Sequence, residues 1–237
     1  MNNVKNSIKW ADYTINPVKG LCPQACPYCY ARRLYKWLRW DETIRYDDSV
    51  WQTGSPIPRG SRVFVGSTME LFGDWIQPEW MEAIFEHVKA LPEVNFLFLT
   101  KKPENLIKWS SFPDNAWVGV SYTGKERFGY AYSFIGLQAK VKYISFEPVL
   151  AHCLENVNSF SQSMQNANIN WIIIGQQTPV NPKTAPQLSW IQEIVEAADR
   201  ARIPVFLKDN LYKLCASQST PWAWQKYDAG RLRQELP

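Results

Sequence analysis

Short runs of apolar residues recur along this chain, and most of them end at a polar residue or a glycine. Such nearly continuous runs are typical of strands that are buried on both faces of a parallel sheet. They cover residues 62–66, 95–99, 116–120, 141–145, 171–174 and 204–207. A first, shorter strand is predicted at residues 10–15, where Asn16 and Pro17 end it. The pattern therefore predicts about seven strands.

Amphipathic helical segments lie between these runs. A helix is predicted after Gln77, with Pro78 in its first turn and apolar residues at helical spacing up to Val88. Residues 187–201 repeat this pattern, and a third helix is predicted at residues 30–40. The apolar stripe of that third helix is predicted to be Tyr30, Leu34, Trp37 and Leu38.

Strands that alternate with helices indicate βαβ units and a parallel sheet. Right-handed crossovers of this kind form either a doubly wound sheet or a barrel. We predict an α/β fold with a partial, TIM-barrel-like (βα) barrel of about six to seven strands, and the doubly wound sheet is the alternative. Polar residues that follow the strands would meet at one end of such a barrel.

Three stretches depart from the alternation, and we predict one domain over residues 1–237 that contains them. Residues 41–60 are predicted to be an insertion, and residues 209–237 a C-terminal extension. Residues 151–170 are rich in Asn, Ser and Gln, a composition that favours turns, so we predict a loop in place of a crossover helix there.

The composition adds few constraints. The 237 residues carry a net charge of +4, which permits an anionic partner without requiring one. The 12 Trp, 11 Tyr and 11 Phe would fill a thick core or form stacking surfaces. Residues 1–7 lack the apolar segment of a secretory signal, and no apolar run is long enough to cross a bilayer, so a cytoplasmic location is expected.

The strongest chemical signal is a cysteine loop directly after the first predicted strand. Cys22, Cys26 and Cys29 are spaced C-x3-C-x2-C, with prolines after the first two. Iron–sulfur clusters with four irons are held by cysteine thiolates, and three local thiolates leave one iron without a protein ligand.

Zinc, structural thiols and disulfides are the other interpretations of these cysteines. A structural zinc site needs four ligands, and no second C-x2-C or H-x3-H motif follows in the sequence. A Cys3His site would need His87 or His152, both of which are distant in sequence. The two other cysteines, Cys153 and Cys215, are expected to be small buried side chains.

At this loop the sequence resembles the radical S-adenosylmethionine (SAM) superfamily. Cys22, Cys26, Tyr28 and Cys29 match its signature C-x3-C-x-aromatic-C. The segments NPVKG at 16–20, CYA at 29–31 and SFEP at 145–148 look like a phage and bacterial radical-SAM-like family whose reaction is unassigned. The resemblance runs from about residue 10 to residue 208. It implies a [4Fe-4S] cluster whose open iron binds SAM and cleaves it to a 5′-deoxyadenosyl radical, which abstracts a hydrogen atom from a substrate.

The resemblance also implies cofactor contacts at the ends of strands. Gly66, Ser67 and Thr68 occupy the place of the superfamily's turn for the SAM amino group, where Gly-Gly-Glu is usual. Tyr28 lies where an aromatic residue beside the adenine is expected.

Later strand ends complete the implied cofactor site. Ser121 and Glu147 are expected to bond the ribose or methionine portions of SAM. Gly175 and Gln176 stand where the closer family tends to show Gly-Gly-Glu, which indicates an adenine-side contact.

Lys101 and Lys208 have no implied SAM role. Both follow predicted strands, so we predict that they bind a phosphate or carboxylate of the substrate.

Three hypotheses for function remain open at this point. The first is a radical SAM enzyme that acts on nucleic acid or a nucleotide, which the basic helix at 30–40 and the many aromatic residues favour. The second is a radical SAM activase or modifier of a protein or peptide. The third is a non-enzymatic iron–sulfur or zinc module. Either enzyme would need a reductase, or a flavodoxin- or ferredoxin-like electron donor.

Overall fold

Strands and helices alternate along most of the chain. The computed structural model describes residues 1–4, 8–52, 56–125, 133–225 and 228–237. The strands are β1 (Asn2–Asn3), β2 (Tyr13–Ile15), β3 (Val18–Lys19), β4 (Arg45–Tyr46), β5 (Arg62–Val65), β6 (Asn95–Thr100), β7 (Ala116–Tyr122), β8 (Val141–Phe146), β9 (Trp171–Ile174), β10 (Val205–Leu207), β11 (Trp224–Gln225) and β12 (Asp228–Leu232). The α-helices are α1 (Tyr30–Leu38), α2 (Pro78–Lys89), α3 (Val157–Asn166), α4 (Leu188–Ala201) and α5 (Tyr212–Ala216). Short 3-10 helices cover Asp48–Trp51, Pro103–Trp109, Pro182–Thr184, Asp209–Leu211 and Pro221–Ala223.

The main sheet is open and mostly parallel. Its strand order is β1-β2-β5-β6-β7-β8-β9-β10, with β1 antiparallel to β2. Neighbouring strands run parallel in the pairs β2–β5, β5–β6, β8–β9 and β9–β10. Without the two-residue β1, seven of the eight strands remain. The predicted fold class, a partial (βα) barrel, is confirmed.

The chain divides into two compact units. The first comprises residues 1–119 and 136–140, and the second comprises residues 120–135 and 141–237. In the first unit, α2 buries Met81, Ile84 and Val88, as its helical spacing predicted. The proline at its first turn costs no hydrogen bond, because the first amides of a helix have no partner within it. The single domain, the insertion and the C-terminal extension stay predictions; residues 53–55 of the insertion lie outside the described residues.

In the second unit, α3 packs against α4 where the sequence predicted a loop. The side chain of Asn156 accepts hydrogen bonds from the amides of Asn158 and Ser159 and so caps the amino end of α3. Phe160 and Met164 lie one turn apart on the buried face. The loop prediction for residues 151–170 was therefore wrong over Val157–Asn166, because a strong cap and two apolar anchors outweigh the low helix propensity of Asn and Ser.

We expect the Asn156→Ala variant to unfold with about 1 kcal/mol less free energy than the native chain, because two amides of α3 lose their acceptor. Urea unfolding followed by circular dichroism measures this loss. The exposed Gln165 of the same helix supplies the control, and Gln165→Ala should change stability by less than about 0.5 kcal/mol. Equal effects of the two variants would contradict the capping role.

Helix α1 buries a different face from the predicted one. Its buried residues are Ala31 and Tyr35, whereas Tyr30, Trp37 and Leu38 are exposed. The hydroxyl of Tyr35 accepts a hydrogen bond from the Gly20 amide, which turns that side of the helix toward the chain. The predicted apolar stripe is therefore exposed at Tyr30, Trp37 and Leu38, and only its Leu34 is half-buried.

The C-terminal residues cover the β10 edge of the sheet. The Leu207 amide donates to the carbonyl of Arg233 at 2.7 Å, and the Glu235 amide donates to the carbonyl of Val205 at 3.1 Å. Partial burial lowers the pKa of the Arg233 guanidinium, but hydrogen bonds and ion pairs with the carboxylates of Asp199 and Glu235 outweigh this effect and raise the pKa above its usual value. None of the helices in the described residues is long and apolar enough to cross a membrane.

Candidate metal and cofactor site

The cysteine loop leaves β3 through a glycine that no other residue replaces easily. Gly20 has a φ of +111°, and a Cβ atom there would lie 2.6 Å from the carbonyl oxygen of Thr43. Its amide donates to the hydroxyl of Tyr35 at 2.9 Å, and the Leu21 amide donates to the carbonyl of Glu42. The start of the loop is therefore held on two sides by the first unit.

Two tight turns then gather the cysteines. The Ala25 amide donates to the carbonyl of Cys22 at 3.4 Å, and the Cys29 amide donates to the carbonyl of Cys26 at 3.0 Å. The guanidinium of Arg32, in the first turn of α1, donates to the same Cys22 carbonyl at 2.7 Å. Helix α1 thus fixes the position of the first turn.

The three cysteines line one small cavity that is partly open to solvent. All three thiols are free and half-exposed. Its lining residues are Leu21, Cys22, Ala25, Cys26, Cys29, Ala31, Arg32, Tyr35 and Thr68. Within the described part of the chain, no three or more His, Cys, Asp or Glu side chains are arranged to hold a metal ion.

Burial raises the pKa of two of these thiols. For Cys22 this effect is opposed by a hydrogen bond from the Glu70 amide, whose nitrogen lies 3.4 Å from Sγ. For Cys26 the nearby ammonium of Lys101 and the hydroxyl of Tyr28 oppose it. Metal ligation needs thiolates, so these donors lie where they would stabilise the ligating form.

Glu70 is a buried carboxylate that ties the turn after β5 to the end of β6. One carboxylate oxygen accepts from the Thr100 hydroxyl at 2.6 Å and the Phe72 amide at 3.1 Å, and the other accepts from the Lys101 amide at 2.8 Å. Burial raises the pKa of Glu70 against the opposing effect of these hydrogen bonds. Because its own amide also faces Cys22, Glu70 links two strand ends to the cysteine loop.

The predicted turn Gly66-Ser67-Thr68 lies beside this link. Both the Ser67 hydroxyl and the Thr68 amide donate to the side-chain oxygen of Asn16 at 3.1 Å. The hydroxyl of Tyr30 donates to the Ser67 carbonyl at 3.0 Å. These contacts hold Thr68 at the cavity wall.

In the second unit, the predicted residues at the ends of β8, β9 and β10 form their own group. The ammonium of Lys208 forms an ion pair with the carboxylate of Glu147, and both side chains are mostly buried. Gly175 permits this arrangement, because a Cβ atom there would lie 2.8 Å from Cδ of Lys208. The side chain of Gln176 donates to the Asn210 carbonyl, and the Asn210 amide group donates back to the Gln176 carbonyl at 2.7 Å.

The structure thus gathers the predicted site residues within each unit. In the first unit, Cys22, Cys26, Cys29, Tyr28, Thr68 and Lys101 belong to the cysteine loop and its surroundings. In the second, Glu147, Gly175, Gln176 and Lys208 are in mutual contact or adjacent in sequence, and Ser121 is buried in β7. The assignment of these residues to SAM or to a substrate stays a prediction.

Sequence reasoning missed two residues that contact the cysteine loop or the Gly66 turn in the first unit, Glu70 and Asn16. Glu70 carried a faint signal, because it is the acid that follows the Gly66 turn where the superfamily shows Gly-Gly-Glu. Asn16 carried one as well, because it ends β2 next to Pro17 and its side chain is free to cap a neighbouring turn.

We expect the Gly20→Ala variant to lose about 2–4 kcal/mol of unfolding free energy, since it combines backbone strain with a clash against the backbone. Gly60 is a matched control, because its φ is +74° and a Cβ atom there would meet nothing within 4 Å. Gly60→Ala should therefore cost only about 1 kcal/mol. Urea unfolding of the two variants compares them, and equal losses would show that the clash with Thr43 does not matter.

Comparison with known proteins identifies a family and a shared fold. Residues 5–234 match a family model described as "Protein of unknown function (DUF5131)". No curated protein matches the chain.

Among solved structures, the chain is similar to spore photoproduct lyase complexed with dinucleoside spore photoproduct, with 13% identity and a TM-score of 0.52. It is also similar to a variant of that lyase with bound AdoMet and dinucleoside spore photoproduct, with 14% identity and a TM-score of 0.53. Each match covers 85% of this chain and 63% of the lyase chain. At this identity the likeness shows a shared fold.

Proposed function

The chain belongs to the DUF5131 family of proteins of unknown function, and we propose that it is a radical SAM enzyme in which Cys22, Cys26 and Cys29 hold a [4Fe-4S] cluster. The observation that carries this proposal is that all three cysteines line one cavity, together with Thr68 from the turn after β5. A cluster bound there supplies the electron that cleaves SAM to methionine and a 5′-deoxyadenosyl radical for hydrogen abstraction.

The donor set fits such a cluster. Each thiolate of an iron–sulfur cluster bonds a different iron atom, so the three sulfurs need to surround a cavity and not a single ion. The three cysteines of the loop line one cavity, on turns whose backbone is fixed by Arg32 and by Tyr35. This arrangement favours a cluster over zinc.

The groups around the thiols have roles that follow from their charge. Lys101 places a positive charge near Cys26, and Tyr28 gives Cys26 a hydrogen bond. A positive charge and hydrogen bonds to sulfur stabilise the more reduced, more negative state of a cluster. We therefore propose that Lys101 and Tyr28 tune the cluster site, in addition to the substrate and adenine contacts predicted for them.

The remaining cofactor and substrate contacts are proposals as well. Gly66, Ser67 and Thr68 lie next to the cavity and are proposed to receive the amino group of SAM. Ser121, Glu147, Gly175 and Gln176 are proposed to contact the rest of SAM, and Lys208 an anionic group of the substrate. Since Lys208 is paired with Glu147, a bound anion would share the ammonium with that carboxylate.

The proposed substrate is a nucleic acid or a nucleotide, and the proposed electron donor is a reductase or a flavodoxin- or ferredoxin-like protein. The excess of basic over acidic side chains and the exposed aromatic residues of α1 support the substrate class. A reducing cytoplasm suits both the free thiols and an oxygen-sensitive cluster.

Anaerobic reconstitution with iron and sulfide tests the proposal. We expect about four iron and four sulfide per chain, and 5′-deoxyadenosine after addition of dithionite and SAM. A chain that binds about one zinc ion in their place, or that carries the cluster and releases no 5′-deoxyadenosine, would show a binding module and not a radical SAM enzyme.

A further inference from the structure

Helix α1 presents an exposed aromatic and basic stripe directly after the last cysteine of the loop. Tyr30, Arg33 and Trp37 are spaced three and four residues apart, so they lie on one face of the helix, and we call them the α1 stripe. All three side chains are exposed, and Trp37 is 77% exposed. An indole so open to water on a short, well-anchored helix contributes little to the core.

The charge around the α1 stripe is positive. Lys36 in the same helix and Arg39 at its C-cap are also exposed, and the sequence of α1 contains no Asp or Glu. The next acid along the chain, Asp41, forms an ion pair with Arg45 at 2.6 Å. The surface is therefore complementary to an anion that also offers flat apolar faces.

The α1 stripe has a fixed position relative to the cysteine loop. Arg32 and Tyr35, on the opposite side of the helix, bond the backbone of Cys22 and Gly20. The Tyr30 hydroxyl bonds the Ser67 carbonyl at 3.0 Å. Trp37 follows Cys29 by eight residues, which places it about 12 Å further along the helix axis.

We propose that the α1 stripe binds single-stranded nucleic acid, with a base stacked on Trp37 and a phosphate held by Arg33, while Lys36 and Arg39 add positive charge to the same helix. Unpaired bases stack on aromatic side chains whatever their sequence, and basic residues follow the backbone. A duplex hides its base faces, so an exposed indole favours a single strand. The part of this inference that makes the bound strand the substrate of the cysteine site rests on the proposed function.

Fluorescence anisotropy of a labelled single-stranded oligonucleotide of about 15 nucleotides, DNA or RNA, tests the inference on the full, reconstituted chain. We expect Trp37→Ala to weaken binding by about 10- to 100-fold, and Trp37→Phe to keep most of the affinity, because the ring still stacks. Arg33→Ala should lower the slope of log K against log salt concentration by about 0.7.

Tyr212 supplies the matched control, because it is an exposed aromatic residue followed by an exposed lysine in the second unit. Tyr212→Ala should leave the affinity unchanged. Absence of binding at low salt, or equal binding by native chain and Trp37→Ala, overturns the inference. So does loss of binding to anionic phospholipid vesicles in Trp37→Ala while oligonucleotide binding is kept, because the stripe would then be a membrane contact.

The same samples separate this inference from the proposed function. A chain that forms 5′-deoxyadenosine and binds no oligonucleotide refutes the α1 stripe alone. A chain that binds the oligonucleotide through Trp37 and forms no 5′-deoxyadenosine refutes the radical chemistry alone.

Discussion

Alanine in place of Cys22, Cys26 or Cys29 is expected to abolish iron retention and to lower 5′-deoxyadenosine formation by more than about 100-fold. Substitution of groups that merely orient a metal ligand already costs about 10- to 100-fold. The three thiols share one cavity, so loss of any one leaves an incomplete donor set. Iron and sulfide analysis after anaerobic reconstitution, followed by chromatography of the SAM products, gives the measurement.

Cys153 is the proper control for these variants. Its side chain is half-buried like those of the loop cysteines, so the expected full burial was wrong for Cys153, whereas Cys215 is fully buried and its truncation would leave a cavity. Cys153→Ala should retain iron and activity. Full activity in any of the three loop variants would remove that cysteine from the ligand set.

The Glu70→Ala variant is expected to lose about 3 kcal/mol of unfolding free energy. The substitution leaves the Thr100 hydroxyl and the amides of Phe72 and Lys101 without their acceptor in a buried place, and each such donor costs about 1–3 kcal/mol before the surroundings relax. Because the same turn faces Cys22, iron retention should fall as well. Urea unfolding and iron analysis measure the two effects.

Two further variants define the cause. Glu70→Gln keeps one oxygen for Thr100 and Phe72 but turns an amide group toward the Lys101 amide, so its loss should be smaller, about 1–2 kcal/mol. Glu86→Ala removes an exposed carboxylate that pairs with Lys89 on α2, and it should change stability by less than about 0.5 kcal/mol. A Glu70→Ala variant as stable as Glu86→Ala would mean that the buried hydrogen bonds contribute nothing net.

The strands could be predicted from sequence because burial on both faces leaves an almost unbroken apolar run. The predicted strand at 171–174 is β9 itself, and the predicted strand at 95–99 ends one residue short of β6. Helix α2 was predictable for a similar reason, since its proline and its apolar spacing agree. Local and tertiary preferences coincide in these elements.

Helices α1 and α3 show where local reasoning fails. In α3 the residues are poor helix formers, and the helix exists because Asn156 caps it and Phe160 and Met164 pack inward. Helix α1 itself was predicted, but the spacing of its apolar residues does not show whether the predicted apolar stripe or the face of Ala31 and Tyr35 packs against the core. A single hydrogen bond from Gly20 to Tyr35 marks that face, and no sequence pattern encodes it.

The cysteines of the candidate site could be predicted from the sequence, whereas the long-range contacts of the other site residues could not. The spacing of Cys22, Cys26 and Cys29 is local, so the sequence shows it directly. The partner of Glu70 on β6 is 30 residues away, and Lys208 meets Glu147 across 61 residues. Contacts of this kind depend on the strand order, which a single sequence does not reveal.

The pairing of residues 233–235 with β10 has a consequence for how this protein behaves at high concentration. Exposed strand edges recruit strands from other molecules, and here the amide of Leu207 and the carbonyl of Val205 already have partners in the same chain. Arg233 holds residues 233–235 in place through its ion pair with Asp199 of α4. Without this ion pair, residues 233–235 would leave β10 more easily, and the exposed edge of β10 could pair with a strand of another molecule. The ion pair therefore protects against aggregation in addition to stabilising the fold.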